Sequence, residues 1–318
     1  MTAARLRGTA GSGSPLVVIA ALTYRRPDDL AQLLPSLVAQ AESVPEQVEI
    51  LIVDNDPEAG AEGQVRDFGQ QVRYHHAAIP GIAAARNAAL DASGDADILV
   101  FIDDDERPVE GWLRDLLSTW KKFECAAVVG PVISEFGAEP EEWVRAGRFF
   151  DRRRLPTGTV TGVAATNNLL LELSAVRPLG LRFDERFGLT GGSDTLFTKQ
   201  LHAAGGTIVW CDEAIVLDIV PAERATRQWV LRRAYRTGNS WILTSLALEA
   251  SAAGRLRVRA RLLAQGLARL AGGAGKALAG LLLRRLDLRA RGMRTAARGA
   301  GLVAGIAGGV YTEYRRSA

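Results

Sequence analysis

The chain has 318 residues, 47% hydrophobic and 24% charged, which suits a globular protein of one large or two modest domains. Two cysteines, Cys125 and Cys211, stand far apart without CxxC spacing, so neither a disulfide framework nor a zinc site is indicated and a reducing compartment fits. The net charge of +3 conceals an asymmetry: from Arg255 onward 14 Lys/Arg face two acids, whereas the preceding 254 residues carry 25 basic and 34 acidic residues. An acidic body with a basic tail directs the tail at something anionic. The tail's aromatics are Tyr311 and Tyr314 alone, too few for the stacking platforms of nucleic-acid binders, so a membrane surface is expected and nucleic acid is not.

Met1 to Ser14 is a Gly/Ser-rich polar lead without a signal-peptide core, and a cytoplasmic location is expected. Leu16–Leu22 reads as a buried strand, and Pro27-Asp-Asp-Leu as a helix start with acids in its first turn. Val48–Val53 is the next strand, ending at Asp54-Asn55-Asp56. A polar helix near 58–70, a short strand over 72–75 and a helix from Gly81 to Ser93 follow. Ile98-Leu-Val-Phe-Ile-Asp-Asp-Asp-Glu106 is a buried strand that ends abruptly in carboxylates, with a helix starting near Pro108 and Trp112. This strand–helix alternation through residue 123 predicts an α/β fold with a mostly parallel, doubly wound sheet.

A strand at 126–133, a looser region with Trp143, a strand at 161–173 and a helix at 193–204 come next. Strands then follow at 207–210 and 215–218. After Pro221 the pattern turns helical, from about 225 to 251, and the tail reads as amphipathic helices broken at Gly272-Gly273 and at 299–301. The expected organisation is a lead (1–14), a catalytic domain (15–224) and a helical basic region (225–318). A dehydrogenase-type Rossmann domain is excluded, because Leu22 runs into Thr23-Tyr24-Arg25-Arg26-Pro27 with no glycine.

Asp103, Asp104 and Asp105 crowd like charges at a strand end, which is unfavourable unless a cation or ligand offsets it. Asp103 and Asp105 form an Asp-x-Asp, and hard oxygen ligands suit Mg²⁺ or Mn²⁺ on a diphosphate. The bland reading is an acidic turn that caps the next helix. Carboxyl ends of neighbouring parallel strands open on one crevice, so Thr23-Tyr24-Arg25, Asp54-Asn55 and Asp103-Asp104-Asp105 can meet around one ligand. Gly81-Ile-Ala-Ala-Ala-Arg86-Asn87 sits between them, either packed on the sheet near phosphate or an ordinary Ala-rich surface helix.

The series Thr-Tyr-Arg-Arg-Pro, Val-Asp-Asn, Gly-x-x-x-Ala-Arg-Asn, Asp-Asp-Asp-Glu, Gly-Gly-Ser-Asp resembles the family 2 glycosyltransferases over about residues 15–245. That resemblance implies the GT-A fold with a helical C-terminal extension. It implies inverting transfer of a sugar from a nucleoside diphosphate, UDP being the expected one, to a hydroxyl of a glycan or lipid-linked acceptor. By the same resemblance Thr23, Tyr24, Arg25, Asp54, Asn55, Arg86, Asn87, Asp103 and Asp104 line the nucleotide-sugar pocket. Asp105, with Asp103, would hold the metal, and Asp194 would be the base for the acceptor hydroxyl.

Relatives usually read Glu-Asp where this chain has Ser193-Asp194. The alternative makes Ser193 or Asp194 an N-cap. Asn168, Gly191, Gly192, Ser193, Arg233 and Arg236 are candidates for the acceptor side, the last two equally a solvated basic face. Asn167 is a candidate sugar contact, it and Asn168 equally groups that satisfy local backbone, and Asp218 is a candidate second metal ligand, while His75, His76 and His202 read as structural or exposed. The Gln-x-x-Arg-Trp of processive members is absent, and Arg227-Gln228-Trp229 is a superficial echo, so addition of one or a few sugars is expected. A nucleotidyltransferase is a competing reading, although the glycine-rich loop that usually opens one is missing. A non-catalytic nucleotide-sugar or membrane-surface binding protein is another. In the tail, Leu256, Leu263, Leu267 and Leu270 recur at helical spacing among arginines, which predicts a helix lying on the inner face of the membrane or packing on the catalytic sheet.

Overall fold

The computed structural model describes residues 14–188 and 191–309; the polar lead before Ser14, Tyr311 and Tyr314 lie outside the described residues. In chain order the elements are β1 (Leu16–Thr23), α1 (Pro27–Glu42), β2 (Gln47–Asp54), α2 (Glu62–Arg66), β3 (Val72–His76), α3 (Ile82–Ala92), β4 (Ile98–Asp103), β5 (Glu106–Pro108), α4 (Trp112–Phe123), β6 (Ala127–Val129) and β7 (Val132–Phe136). They continue with α5 (Glu142–Gly147), β8 (Val160–Thr161), β9 (Asn168–Glu172), α6 (Leu173–Val176), α7 (Ser193–Ala203), β10 (Ile208–Trp210), β11 (Val216–Val220), α8 (Arg227–Ala247), α9 (Ala252–Leu282) and α10 (Leu286–Ile306). The chain forms two compact units. Among the described residues, one is built from 14–133, 152–188 and 193–218, the other from 134–151, 191–192 and 219–309.

The first unit carries an eight-stranded sheet in the order β3-β2-β1-β4-β9-β6-β10-β8. Strands β3, β2, β1 and β4 are mutually parallel, β9 is antiparallel to both β4 and β6, and β10 is parallel to β6. Alternate residues of each central strand enter opposite layers, as strand geometry requires. Val17, Ile19, Ala21, Ile50, Ile52, Val100 and Ile102 pack with the α1 leucines and with Trp112, Leu113, Leu116 and Leu117 of α4. Val18, Ala20, Leu51, Val53, Leu99 and Phe101 pack with the α3 alanines and with Phe197 and Leu201 of α7. Burial of each large side chain contributes about 1.5–3 kcal/mol. Helices on both faces leave the carboxyl ends of β1, β2 and β4 open in register, with Thr23 opposite Asp54 and Leu22 opposite Asp103.

Several boundaries differ from the sequence expectation. The 126–133 run is interrupted at Gly130-Pro131, where a Cβ on Gly130 would stand 2.1 Å from the Ala214 carbonyl oxygen. The 161–173 run holds two strands separated by a loop. The expected helix near 58–70 is one turn over 62–66 and a 3-10 turn over 69–71. Pro108 ends β5, and α4 begins only after Gly111, whose φ is 78°.

The second unit is mostly helical, with Trp143, Val144, Phe150, Val220, Val230 and Ala290 in one buried cluster and Ile242, Leu262 and Leu302 in another. Its glycines overturn the expected helix breaks. Helix α9 runs through Gly272-Gly273 and α10 through Gly299–Gly301; the chain turns instead at 283–285, where Arg284 takes φ 54°. Glycine costs a helix about 1 kcal/mol relative to alanine, and close backbone approach offsets that here. A Cβ on Gly273 would lie 2.5 Å from the Ala296 nitrogen, and one on Gly301 would lie 1.8 Å from the Tyr235 oxygen. Gly266, Gly273 and Gly280 recur every seventh residue and so line one seam against α10.

Candidate active site

Beyond β1 the chain turns through Tyr24 and Arg25, the latter at φ 53°. The Arg25 guanidinium lies 5.5 Å from the Tyr24 ring centroid and pairs with Asp56 and Glu58, each at 3.1 Å. Beyond β2, Asp54 is buried and organises its own loop: its carboxylate accepts from the Asp56 and Ala61 amides, both at 2.9 Å, and from the Tyr74 hydroxyl at 3.0 Å. Asn55 ties in the next segment, its amide donating to the Ala77 and Ile79 carbonyls and its oxygen accepting from Gly81 N at 3.0 Å. Asp54 and Asn55 thus fix the wall of the crevice and the start of α3, where Gly81 takes φ 121°.

Four successive acids, Asp103 to Glu106, begin with the last residue of β4. Burial first, then the charges of Asp105, Asp104 and Asp194, push Asp103 up to about 7 against the pull of Arg86. Burial, with Asp105 adding, pushes Asp104 up to about 6, while Arg26 and the Thr23 hydroxyl hold it down. Burial and the neighbouring Asp103 and Asp105 raise Glu106 well above the usual carboxylate range; it accepts from Asn167 at 2.6 Å and from the Asp103 amide at 3.3 Å. Arg26 bridges Asp104 at 2.8 Å and Asp105 at 2.9 Å. Burial opposes its charge, but the two carboxylates outweigh that and raise its pKa. Arg26 and Glu106 are the two site residues that sequence reasoning left out.

Helix α3 presents Arg86 and Asn87 inward because alanines on either side let it lie close to the sheet. Arg86 donates to the Ser193 hydroxyl at 2.9 Å, and its guanidinium lies 5.6 Å from the Phe183 ring centroid. Asn87 clamps Phe183 by donating to its carbonyl at 2.9 Å and accepting from its amide at 2.8 Å. At the start of α7, Asp194 is half-buried, its Oδ1 accepting from the Thr195 amide at 2.7 Å. Arg86, bonded to Ser193 and pulling on Asp103, stands between the α7 start and the β4 end. Gly191 and Gly192 precede Asp194 with φ of 74° and 103°.

Two residues expected on the acceptor side are buried. Ser193 is fully buried on Arg86, and Asn168, 1% exposed, is engaged on every side. Its amide donates to the Pro131 and Ala214 carbonyls, and its oxygen accepts from the Trp112 indole at 2.9 Å. Asn167 meets Glu106, Asp218 is held by Arg152, and the His76 ring contacts the Asp56 carbonyl at 2.8 Å. Arg233 and Arg236 belong to α8 of the second unit, where Arg233 lies 4.9 Å from the Trp229 ring centroid. Both cysteines are buried free thiols, Cys125 pushed by burial to about 12.

Among the described residues no three His, Cys, Asp or Glu converge as a ready metal cage. Mg²⁺ and Mn²⁺ sites on phosphates need only one or two carboxylates, the remaining ligands being water and substrate oxygens. Crowded Asp103, Asp104 and Asp105 supply hard oxygens in a place where a cation relieves repulsion, so the donor set fits such an ion.

Residues 18–176 match the model of Glycosyl transferase family 2. Succinoglycan biosynthesis protein ExoM of Rhizobium meliloti (strain 1021) is 38% identical over 228 residues, covering 70% of this chain and 72% of that protein. The mannosyltransferase PcManGT of Pyrobaculum calidifontis, solved with GDP-Man and Mn²⁺, superposes with a TM-score of 0.63 at 16% identity, covering 92% of this chain and 88% of that one. GalNAc-T7, solved with UDP, GalNAc and Mn²⁺, gives a TM-score of 0.53 at 14% identity, covering 79% of this chain and 55% of that one. The sheet order, the acidic end of β4 and these matches agree on a GT-A glycosyltransferase, and the chain belongs to glycosyl transferase family 2.

Proposed function

We propose that the protein transfers a sugar, with inversion and with the help of a divalent cation, from a nucleoside diphosphate to a hydroxyl of a glycan or lipid-linked acceptor. Similarity to ExoM supports polysaccharide assembly as the setting. The observation that carries the reading is Arg86, which bonds Ser193 beside Asp194 and whose charge acts on Asp103 at the end of β4. Tyr24, Arg25 and the loop held by Asp54 and Asn55 would receive the nucleoside, with Thr23, Arg86, Asn87, Asp103 and Asp104 around the rest of the donor. Asp105 and Asp103 would hold Mg²⁺ or Mn²⁺, which neutralises charge on the departing diphosphate.

Asp194 takes the proton of the acceptor hydroxyl as that oxygen bonds to the anomeric carbon from the face opposite the breaking carbon–phosphate-oxygen bond. The glycines before Asp194 leave room for the acceptor, and the missing Gln-x-x-Arg-Trp supports addition of one or a few sugars. Thermal shift with UDP-, GDP- and dTDP-sugars and Mn²⁺ tests the reading. The UDP-sugar is expected to raise the Tm, a ligand at 100 times its Kd adding about 2.7 kcal/mol. No shift with any nucleotide sugar overturns it.

Peripheral binding to an anionic membrane belongs to the same proposal. No helix among the described residues is long and apolar enough to cross a membrane. Along α9, Leu256, Ala260, Leu263, Leu267, Leu270, Ala274, Leu278 and Leu281 recur at spacings of three and four and form one stripe. Its leucines are open, Leu256 at 67%, Leu267 at 52% and Leu278 at 57%, and exposed Arg257, Arg259 and Arg261 flank it. Such a face suits the headgroup layer of anionic lipid. In flotation with anionic liposomes the full chain should bind at low salt and release at high salt. Leu263→Ser with Leu267→Ser should abolish binding, and a parent chain that ignores the liposomes at low salt removes the membrane from the proposal.

A further inference from the structure

A second concentration of charge lies wholly within the helical unit and goes beyond the proposed transfer reaction. Arg148 and Phe149, just after α5, together with Lys276 of α9 and Arg291, Arg294 and Thr295 of α10, line a cavity of about 370 Å³. That volume falls in the range of small-molecule sites, roughly 300–1,000 Å³. No acid lines it. Arg148 pairs with the exposed Asp151, and the carboxylate near Arg291, Asp287, is held by Arg285. Lys276 and Arg294 have no carboxylate partner among the described residues.

Arg291 is half-buried at this cavity, and Arg148, Lys276 and Arg294 reach solvent around it. Arg294 stacks over Phe149, 5.5 Å from the ring centroid. One turn further along, Arg298 has its pKa lowered by burial and by repulsion from Arg269 and Arg294, and its Nε is buried without a hydrogen-bond partner. Like charges gathered around one cavity without an acid repel one another, and an anion among them relieves that repulsion. Their planar donors match phosphate oxygens two at a time, and Lys276 adds a point charge. A single carboxylate would leave most of the positive charge uncompensated.

We propose that this cavity binds a phosphate or diphosphate ester, clasped by Arg291, Arg294 and Lys276 with Phe149 as its apolar wall. The ester arrives either on a soluble molecule or on a lipid headgroup, and the experiment separates these. Calorimetry on the full-length chain with inorganic pyrophosphate is run in EDTA, which silences metal-dependent binding at the β4 carboxylates and makes the result independent of the transferase reading. The parent should bind, and Lys276→Gln with Arg294→Gln should weaken binding by about tenfold or more, the scale of losing charged hydrogen bonds.

Without anion the double variant should melt no lower than the parent, since it loses unpaired charge. If it fails to fold, Arg291→Gln at the half-buried rim replaces it, with the same expected weakening. Flotation with phosphatidic-acid vesicles that is displaced by pyrophosphate and lost in the variant assigns the ester to a lipid; pyrophosphate binding without such displacement assigns it to a soluble molecule. A parent that binds no pyrophosphate, or a variant that binds it equally well, overturns the proposal.

Discussion

Asp194→Asn is expected to lower turnover by about 10²–10⁴ while donor affinity stays near that of the parent, the usual contribution of a general base. That range corresponds to about 2.7–5.4 kcal/mol of barrier. The substitution is chosen because Asp194 has two candidate roles that geometry keeps distinct. As a cap, its Oδ1 accepts from the Thr195 amide at 2.7 Å, and an asparagine oxygen at the same place preserves that bond and the start of α7. As a base, it needs an ionised carboxylate, which asparagine cannot supply. A fold loss is therefore not expected, and the melting temperature measured beside the kinetics checks this. The neighbouring position strengthens the separation: it holds Ser193, buried on Arg86, so no second acid there shares the work. Equal turnover in variant and parent would make Asp194 a helix cap and nothing more.

Which parts of this architecture can be read from residues depends on the range of the interactions behind them. The runs 16–22, 48–53 and 98–102 are apolar on both faces because helices cover both, so their continuity alone marks parallel inner strands. The acid cluster after β4 is equally visible, since its members are adjacent. Arg26 is not, because its two carboxylates lie 78 and 79 positions away and only the register of β1 beside β4 brings them near. Glu106 reads as a further surface acid until β5 turns it inward onto the Asp103 amide. Asn168 shows the converse: family resemblance offers it to the acceptor or to local backbone alike, and only the fold brings Trp112, Pro131 and Ala214 onto it from three separate segments. The tail glycines mislead for the same reason. Local propensity reads Gly272-Gly273 and Gly299 to Gly301 as breaks, while the backbone of a neighbouring helix requires several of them to lack a side chain.

Asp105→Ala is expected to abolish metal-dependent donor binding, and transfer with it, without loss of the fold. Asp105 stands in a cluster whose members repel: its charge raises both Asp103 and Asp104. Removal of that charge relieves them, and Arg26 keeps its bond to Asp104 at 2.8 Å, so the metal-free melting temperature should not fall. The loss should appear instead in the Mn²⁺-dependent affinity for UDP. Removing groups that merely orient metal ligands lowers metal affinity about 10–100-fold, and loss of a ligand should exceed that. Titration of UDP in Mn²⁺ and again in EDTA isolates the term, because only the difference between the two reports the ion. Parent and variant should converge in EDTA, where Tyr24, Arg25 and the Asp54 loop act alone. The rival role for Asp105 is structural, as the second carboxylate on Arg26 at 2.9 Å. If that is its whole function, the variant retains the full Mn²⁺-dependent gain in UDP affinity, and the metal assignment falls.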